Sequence, residues 1–457
     1  MDDFRRVADE VAADIAAGRL RPGDRLPPQR EFARQRAIAT STAARVYKEL
    51  VLRGLTVGEV GRGTFVRAAA PRPQPALAEP ADSRVDLELT YAFVPEQASL
   101  LAESMGALLR PDVLEASMRP VGAAGTLPAR SGVADLLARE DWRPDQERVL
   151  FAGNGRQAIA AAMTALASPG ARIGVEELTY PVVKAIASRL GVTLVPLAVD
   201  AAGLVPEAVE AAMRKTPLDA VYLQPTLHNP LSLTMPVERR IELAGLLRRL
   251  GLHAIEDAIW SFLRHDLPPL AALAPERTIL VDSLSKRLAP GLTLGFAVVP
   301  EALGANVSTA LRSGGWTPMR FALDAATRWL SDGVVGKVTR AKQAEAAARQ
   351  ELAARHLGEF AVHSDPHSFY CWWELPPLWR ADTFVAAAAR QGIAVTRGGL
   401  RRGPLPRPER HPAGPGLPAR RHPRPRPGHA RRPRPLDSGR SALRVTAGRK
   451  TAHPDKK

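Results

Sequence analysis

Residues 281–296 read VDSLSKRLAPGLTLGF. The stretch begins with a short apolar segment typical of a buried strand, continues through a small polar turn that carries Lys286, and ends in Ala-Pro-Gly. A lysine placed just behind a buried strand is either an ordinary surface residue or an amine that reacts with a bound group. The surrounding sequence decides between the two.

Short apolar segments alternate with helical segments on both sides of this stretch, from about residue 86 to residue 398. Residues 220–224 and 278–283 have the composition of buried strands, whereas residues 155–166 and 237–250 have the pattern of helices. This alternation predicts an α/β domain with a mostly parallel central sheet.

Polar residues follow several of the predicted strands. Asp257 lies at the end of the apolar segment in HAIEDAI, Asn229 lies in TLHNP after AVYLQ, and Tyr180 lies in LTYP. An open α/β sheet binds ligands in the crevice at the carboxyl ends of its strands. The glycine-rich turn AGNGRQAI (152–159) opens a helix and suits an anion. The sequence therefore predicts that Lys286 belongs to a binding site.

In this order the motifs resemble those of a pyridoxal-phosphate (PLP) enzyme of the aspartate-aminotransferase fold, fold type I, over roughly residues 86–398. The resemblance implies that Lys286 forms a Schiff base with the cofactor aldehyde, and that Asp257 pairs with the ring nitrogen and keeps it protonated. It implies that Asn229 binds the ring hydroxyl and that Tyr180 stacks on the ring. The phosphate is assigned to the following residues: Asn154, Gly155, Arg156, Ser283 and Ser285.

Three positions depart from that family. Trp260 stands where a tyrosine usually binds the ring oxygen, and tryptophan donates but does not accept a hydrogen bond. Thr293 replaces an arginine that normally binds the phosphate, and Arg287 or Arg156 is the candidate for its replacement. Trp260 and Arg287 are therefore included among the predicted cofactor-binding residues. The arginine for a substrate carboxylate normally lies near the C-terminus, where Arg444 is a candidate.

Residues 1–68 are compact and amphipathic. Apolar spacing predicts three helices, which cover 3–17, about 29–36, and a longer stretch that Thr40 or Ser41 caps and that ends at about Arg53. The last helix is predicted to bury Ala43, Val46, Tyr47 and Leu50. A hairpin, LTVGEVGRGTFV, follows it. Together these elements predict a winged helix-turn-helix.

The segment resembles the GntR family over nearly all of residues 1–68, with LRPGDRLPPQREFA and GEVGRGTFV as its signature stretches. Short polar and basic residues at the start of a helix suit the major groove of DNA. The resemblance implies double-stranded DNA as a partner, with contacts from Arg30, Ser41, Thr42, Arg45, Arg62 and Gly63. Where the family usually has Leu-Gly-Val, this chain has Arg36, Ala37 and Ile38.

The net charge of +16 is concentrated at the C-terminus. From residue 397 onward, 18 Lys and Arg stand against 3 Asp and Glu, a net +15, which leaves +1 for residues 1–396. The basic pI is therefore no argument for DNA binding by the folded part. Residues 69–85 predict a semi-rigid linker rich in Ala and Pro. Residues 399–457 predict either a disordered basic tail or a stretch outside the native reading frame, and the abrupt change of composition favours the second.

A GntR-like head (residues 1–68) joined to an aminotransferase-like domain (residues 86–398) resembles the MocR group of transcriptional regulators. This resemblance implies a homodimer that binds two operator half-sites and senses PLP, or its adduct with an amino compound, through the second domain. The alternative is an active PLP-dependent aminotransferase that acts on an amino acid and carries a vestigial head. A third interpretation is a chain that folds poorly because the last elements of its small domain are altered.

Composition limits the compartment and the chemistry. The sequence has no apolar run of 18 residues and no signal-peptide pattern, which predicts a cytoplasmic protein without a membrane partner. Cys371 is the only cysteine, so an internal disulfide and a cysteine-ligated zinc site are excluded, and no metal is predicted.

Overall fold

The computed structural model describes residues 3–16, 19–20, 24–52, 55–59, 63–66, 85–88, 91–376, 381–396 and 400–402. Arg62, Arg444, residues 69–84 of the predicted linker and residues 403–457 of the predicted tail lie outside this part of the chain. Within it, no helix is both long and apolar enough to cross a bilayer. The same residues contain no cluster of three or more His, Cys, Asp or Glu side chains suited to a metal ion.

The N-terminal segment folds as three helices and an antiparallel hairpin: α1 (Asp3–Ala16), α2 (Gln29–Gln35), α3 (Thr40–Leu52), β1 (Thr56–Glu59) and β2 (Gly63–Val66). The structure confirms three helices at the predicted places in the chain. Helix α3 begins at Thr40, so Thr40 and Ser41 are its first residues rather than its cap. All four side chains predicted to be buried on α3 belong to one apolar cluster with residues of α1, α2 and β2.

The end of α2 shows how the chain accommodates its departure from Leu-Gly-Val. Arg36 does not enter the core, because its guanidinium pairs with Glu10 (3.1 Å) and Asp14 (3.4 Å) on α1. Ala37 has φ +52°, in the left-handed region where glycine is less strained. The N–H groups of Ala37 and Ile38 bind carbonyl groups of the last turn of α2, which is the Schellman arrangement.

The remaining strands lie from Val85 onward. They are β3 (Val85–Asp86), β4 (Val149–Ala152), β5 (Arg172–Glu176), β6 (Thr193–Leu197), β7 (Val199–Asp200), β8 (Gly203–Leu204), β9 (Ala220–Leu223), β10 (His253–Asp257), β11 (Thr278–Ser283), β12 (Gly295–Val298), β13 (Val362–His363), β14 (Trp372–Leu375), β15 (Ile393–Ala394) and β16 (Leu400–Arg402). Seven of them form a central sheet in the order β4-β12-β11-β10-β9-β5-β6. Only β12 runs antiparallel to its neighbours in this sheet, which confirms the mostly parallel arrangement.

The helices from Gln97 onward include those that pack on both faces of this sheet and one, at residues 381–390, that packs beside β15 and β16 instead. They are α4 (Gln97–Met105), α5 (Pro111–Ser117), α6 (Leu127–Leu137), α7 (Gly155–Leu166), α8 (Pro181–Leu190), α9 (Pro206–Lys215), α10 (Val237–Leu250), α11 (Leu270–Leu273), α12 (Leu284–Arg287), α13 (Gly304–Ser313), α14 (Arg320–Ser331), α15 (Val334–Leu357) and α16 (Ala381–Arg390), with 3₁₀ turns at Gly106–Leu109, Gln146–Arg148, Ser261–Leu263 and Glu301–Leu303. Along β11, Leu280 belongs to one apolar cluster, and Ile279 and Val281 belong to the cluster on the other side. Both faces are therefore buried, which explains why these strands are continuously apolar.

A smaller sheet forms near the end of the described chain. Strand β14 pairs antiparallel with β13 and parallel with β16. Strand β16 corrects the prediction that regular structure ends at Gly399, because Leu400–Arg402 pair with Trp373–Leu375. An edge strand offers N–H and C=O groups in a row, and a segment as short as three residues can bind them whatever its side chains. Separately, β15 pairs parallel with β3.

Candidate cofactor site and DNA-binding head

The two central residues of the predicted site lie at the ends of neighbouring strands. Asp257 is the last residue of β10, and Lys286 follows the end of β11 by three residues, on the short helix α12. Strands β10 and β11 are adjacent and parallel, with Asp257 opposite Val281. Their carboxyl ends therefore open at the same edge of the sheet, where an α/β fold binds its ligand.

Lys286 lies in a small cleft among aromatic and cationic groups. Its Nζ is 4.2 Å from the centre of the Tyr91 ring and 5.0 Å from that of Trp260. Burial, followed by the nearby charges of Arg156 and Lys342, lowers the pKa of the Lys286 amine to about 7. A large fraction of the amine is therefore neutral and nucleophilic near pH 7. The cleft is lined by Tyr91, Ala92, Trp260, Ser285, Lys286, Leu288, Pro290, Lys342 and Phe369.

The carboxylate of Asp257 is buried and accepts three hydrogen bonds. Its Oδ2 accepts from the Tyr222 hydroxyl (2.6 Å) and from Nε2 of Gln224 (3.1 Å), and its Oδ1 accepts from the N–H of Ile259 (3.1 Å). Burial raises the pKa of Asp257 to about 6, although these hydrogen bonds lower it in part. The group is mainly ionised at pH 7, as the partner of a protonated ring nitrogen has to be.

The side-chain amide of Gln224 connects Asp257 to Asn229. Its Nε2 donates to Asp257, and its Oε1 accepts from the backbone N–H of Asn229 at 3.1 Å. The backbone N–H of Gln224 donates to Oε2 of Glu176 (3.0 Å), which lies 3.1 Å from Nε2 of the buried His228. The predicted partners of the ring nitrogen and of the ring hydroxyl are thus held by one amide.

Tyr180 immediately precedes α8 and lies in the same region. Burial raises the pKa of its hydroxyl; Arg156 acts in the opposite direction, and Asp257 and Tyr91 add smaller upward contributions. The Tyr180 hydroxyl therefore lies near Arg156 at the start of α7 and is influenced by the charge of Asp257 at the end of β10. The predicted position of Tyr180 over a ring bound to Asp257 fits this neighbourhood.

The start of α7 and the turn after β11 approach closely. Asn154 caps α7, with its Oδ1 accepting from the N–H of Gln157 at 3.0 Å. A Cβ added at Gly155 would lie 3.1 Å from Oγ of Ser283, and one added at Gly295 would lie 2.3 Å from the Asn154 carbonyl group. Backbone atoms therefore leave no room for a side chain at Gly295, whereas a side chain at Gly155 would require the Ser283 hydroxyl to shift.

Three hydroxyl groups form a chain beside this helix start. Oγ of Ser283 donates to Oγ of Ser285 (3.0 Å), which is 2.6 Å from Oγ1 of Thr293. Arg156 is exposed at the first turn of α7. Together with the helix N-terminus, these donors match the chemistry of a phosphate group even though Thr293 replaces the usual arginine.

Arg287 does not join these residues. Its side chain is fully buried, its Nη2 donates to Oδ2 of Asp282 at 2.7 Å, and its guanidinium lies 5.2 Å from the centre of the Phe262 ring. A buried guanidinium has to be paired, and the neighbouring carboxylate on β11 supplies the charge. Arg287 therefore stabilises the turn that carries Lys286, and Arg156 is the remaining one of the two predicted substitutes for the phosphate arginine.

Trp260 packs in an aromatic cluster beside Lys286. Its ring lies 5.4 Å from that of Tyr370 and 6.4 Å from that of Phe369, measured between centres. The hydroxyl of Tyr370 donates to the carbonyl group of Leu227, which ties this cluster to the loop after β9. The large indole ring thus forms one wall of the cleft.

Four residues of the site are absent from the predicted set, namely Tyr91, Tyr222, Gln224 and Lys342. Gln224 is the polar residue that directly follows β9, and this signal was available from the sequence. Tyr222 lies within an apolar strand, where an aromatic residue gives no sign of a functional role. Lys342 lies within a helix rich in Ala and in charged residues, where a lysine is expected to be solvated.

The head presents polar side chains on α3. Ser41, Arg45 and Lys48 are exposed and Thr42 is half-buried, on the side of α3 opposite its buried residues. The guanidinium of Arg45 lies 4.0 Å from the centre of the Phe4 ring, which holds it against α1.

Two further predicted contacts lie elsewhere in the head. Arg30 is exposed in the first turn of α2. Gly63 begins β2 with φ +119°, a conformation open to glycine, and a Cβ there would lie 2.7 Å from Nε of Arg25. Arg62, beside it, is outside the described residues.

Family models match both parts of the chain. Residues 122–402 match the family described as aminotransferase class I and II, and residues 4–66 match the gntR family of bacterial regulatory proteins. Among solved structures, an archaeal alanine:glyoxylate aminotransferase superposes with a TM-score of 0.62 at 21% identity, over 68% of this chain and 81% of that one. An α-aminoadipate aminotransferase of Thermus thermophilus has a TM-score of 0.60 at 24% identity, with the same coverage. These likenesses show the fold.

The curated relatives of this chain include several transcriptional regulators. The uncharacterized HTH-type transcriptional regulator YdeF of Bacillus subtilis is 31% identical over 395 residues, 86% of this chain and 85% of its own. The pyridoxine biosynthesis transcriptional regulator PdxR of Corynebacterium glutamicum is 28% identical over 65% of each chain. The probable rhizopine catabolism regulatory protein MocR of Rhizobium meliloti is 24% identical over 78% of each chain. This chain therefore belongs to the MocR-type helix-turn-helix transcriptional regulators, in which a GntR-family head is joined to an aminotransferase class I and II domain.

Proposed function

We propose that this regulator binds PLP through Lys286 and that occupancy of this site changes the affinity of its head for operator DNA. The observation that carries the proposal is the placement of a reactive amine and a buried carboxylate at the ends of two neighbouring parallel strands. With a pKa of about 7, about half of the Lys286 amine is neutral near pH 7, whereas Asp257, with a pKa of about 6, is largely ionised. A cofactor that needs a neutral amine at one end and an anion at its ring nitrogen fits both groups.

Each remaining part of the cofactor has matching residues in the proposed site. When bound, PLP supplies an aldehyde and an electron-withdrawing ring. Asn229, held by Gln224, would bind the ring hydroxyl, and Tyr180 would cover the ring. The phosphate would be held at the start of α7 by Asn154, Gly155 and Arg156, together with Ser283 and Ser285.

The proposed output is DNA binding by a homodimer in the bacterial cytoplasm. Two heads would each place α3 in a major groove, with Ser41, Thr42 and Arg45 at the DNA and Arg30 near its backbone. The wing residues Arg62 and Gly63 would complete the contact. A second ligand, an amino compound that competes with Lys286 for the cofactor aldehyde, would act as effector if it binds the two states of the dimer with different affinity.

A second candidate function, transamination, is favoured by the same Lys286 and Asp257, because an enzyme needs both. Thr293 and Trp260 stand against it, since they replace groups that hold the phosphate and the ring oxygen in the family the chain resembles. A measurement of product formation distinguishes the two candidate functions. A regulator shows no keto-acid release from any of the standard amino acids at a rate above that of PLP alone in solution.

The test of PLP binding is the visible absorbance of the purified full chain mixed with PLP. The wild type is expected to show a band that free PLP lacks, and Lys286→Ala is expected to lose it. Lys337→Ala, an exposed lysine on α15, is the matched control and keeps the band. A wild type without the band would overturn the proposal. Footprints of operator DNA with and without PLP then test the coupling to the head.

A further inference from the structure

Helix α15 carries a lysine that the proposed cofactor chemistry does not use. Lys342 is 2% exposed, and it lines the same cleft as Lys286. A lysine is almost never this deeply buried without a partner for its charge. Its ammonium group therefore needs polar partners inside the protein.

The ammonium group of Lys342 is held by carbonyl groups of the Lys286 turn. Its Nζ donates to the backbone oxygen of Lys286 at 2.9 Å and to that of Leu288 at 2.6 Å. The latter oxygen also accepts from Nε2 of the buried Gln97 at 3.2 Å. Among the described residues, Lys342 forms no ion pair with a carboxylate, and burial is the only cause that shifts its pKa, so it adds positive charge to the cleft.

We propose that Lys342 is a positioning residue of the Lys286 site, which fixes the turn that carries Lys286 and, as a second positive charge, favours the neutral form of its amine. The proposal deepens the proposed function, since it concerns the same amine. Enzymes that use a reactive lysine obtain the neutral form by burial or by a neighbouring cation, and this cleft has both.

The charged groups and aromatic rings around Lys286 come from four separate segments of the chain. Arg156 lies at the start of α7 and Lys342 on α15, and both lower the pKa of Lys286, after burial as the largest cause. The rings of Tyr91 and Trp260 face its Nζ. Burial lowers the pKa of Lys342 itself to about 8, so Lys342 still carries its proton at pH 7 where its charge has to act.

Labelling of the full-length protein without PLP tests this directly. The rate at which Lys286 reacts with trinitrobenzenesulfonate is followed from pH 5 to pH 10, with the modified peptide quantified by mass spectrometry. In Lys342→Met and Lys342→Gln the midpoint is expected to move up by about one pH unit, and the rate at pH 7 is expected to fall about fivefold. Lys342→Arg, which keeps the charge and the donors, is expected to keep the wild-type midpoint. Lys337→Met, on an exposed position of the same helix, is the control.

The three replacements separate charge from structure. Lys342→Gln keeps N–H donors for these carbonyl groups but carries no charge, so a role through hydrogen bonding alone would leave the Lys286 midpoint unchanged. If the Met and Gln variants both titrate as the wild type does, the proposal is overturned. Because the experiment uses no cofactor, its outcome is independent of whether the protein binds PLP. Failure of the absorbance test above would remove the proposed function and leave this result standing.

Discussion

The fold buries the side chain of Asp257, although burial disfavours the charged form of a carboxyl group. Its side chain is 4% exposed, and burial raises its pKa from 3.8 to about 6. The folded-state value lies above the unfolded one, so the folded protein binds this proton more tightly. Ionisation therefore lowers stability progressively from about pH 4 to about pH 6, and the full loss remains above pH 6. Groups kept ionised at such a cost are characteristic of functional sites.

Replacing Asp257 by Asn removes this pH-dependent loss. Without cofactor, the free energy of unfolding of Asp257→Asn relative to the wild type is expected to rise by about 1–2 kcal/mol between pH 4 and pH 6, and then to level off. Urea unfolding at a series of pH values measures the difference. Asp141→Asn, at an exposed position, is the control. Asp257→Asn is also expected to lose PLP binding. A difference in stability between Asp257→Asn and the wild type that does not change with pH would contradict the raised pKa of Asp257.

At the scale of elements, the ends of β9 and β10 act as one unit. The polar residue after β9, Gln224, spans from the carboxylate at the end of β10 to the loop that carries Asn229. Because β9 and β10 are parallel and adjacent, their ends are in register and a single amide reaches both. Preorganisation of two ligand contacts by one hydrogen-bonded residue is a common way to reduce the entropy lost on binding.

Gln224→Leu breaks this connection while it keeps the approximate volume of the side chain. It removes one hydrogen bond to the Asp257 carboxylate and one to the Asn229 N–H, and we expect the dissociation constant for PLP to rise about tenfold, or about 1.4 kcal/mol. Absorbance titration with PLP measures it. Gln391→Leu, an exposed glutamine, is the control and is expected to bind as the wild type does. Unchanged affinity in Gln224→Leu would show that Asp257 and Asn229 are held by other groups.

The end of α2 gives a prediction of the opposite sign. Ala37 adopts φ +52°, which glycine reaches without steric strain, so Ala37→Gly is expected to stabilise the head by about 0.5–1 kcal/mol. Ala44, exposed in the middle of α3, is the matched comparison. Ala44→Gly is expected to destabilise the head by about 1 kcal/mol, since glycine is a poor helix former. Amide hydrogen exchange in α3 measures both, and equal effects of the two variants would contradict the left-handed assignment.

At the scale of the whole molecule, two sources of DNA affinity have to be separated. Residues 403–457 carry 15 Lys and Arg against 3 Asp and Glu, a net +12. A charge of this size binds any DNA through the phosphates, with a strong dependence on salt. The head, in contrast, offers Arg45 and short polar side chains that can distinguish bases.

A chain that ends at Arg402 keeps strand β16 and removes this charge. It is expected to bind random DNA much more weakly and with a smaller salt dependence, while the ratio of operator to random affinity stays the same or rises. Arg45→Ala is expected to weaken operator binding by about 1–3 kcal/mol in either chain. Arg6→Ala, an exposed arginine on α1, is the control. Fluorescence anisotropy at several salt concentrations measures these quantities; equal loss on random DNA would assign Arg45 to the phosphates.

Much of this protein follows from local pattern. The three head helices, the apolar strands and the residues at the strand ends were predictable because helical periodicity, buried-strand composition and turn residues are properties of short segments. The mostly parallel sheet followed from the alternation of strands and helices. Lys286, Asp257, Asn229 and Tyr180 were predictable as a group because parallel strands bring their carboxyl ends to one edge.

Only the tertiary structure decided which partners the charged side chains of the site have. Arg287 and Lys342 are both basic residues on helices, and sequence alone does not tell which one enters the cleft. Arg287 turns into the core because Asp282 offers a buried carboxylate, and Lys342 reaches the turn of Lys286 across 56 residues of chain. Strand β16 exists because β14 has an edge to pair with. Burial and pairing are set by contacts distant in sequence, and these contacts decide whether a charged side chain is solvated or becomes part of a site.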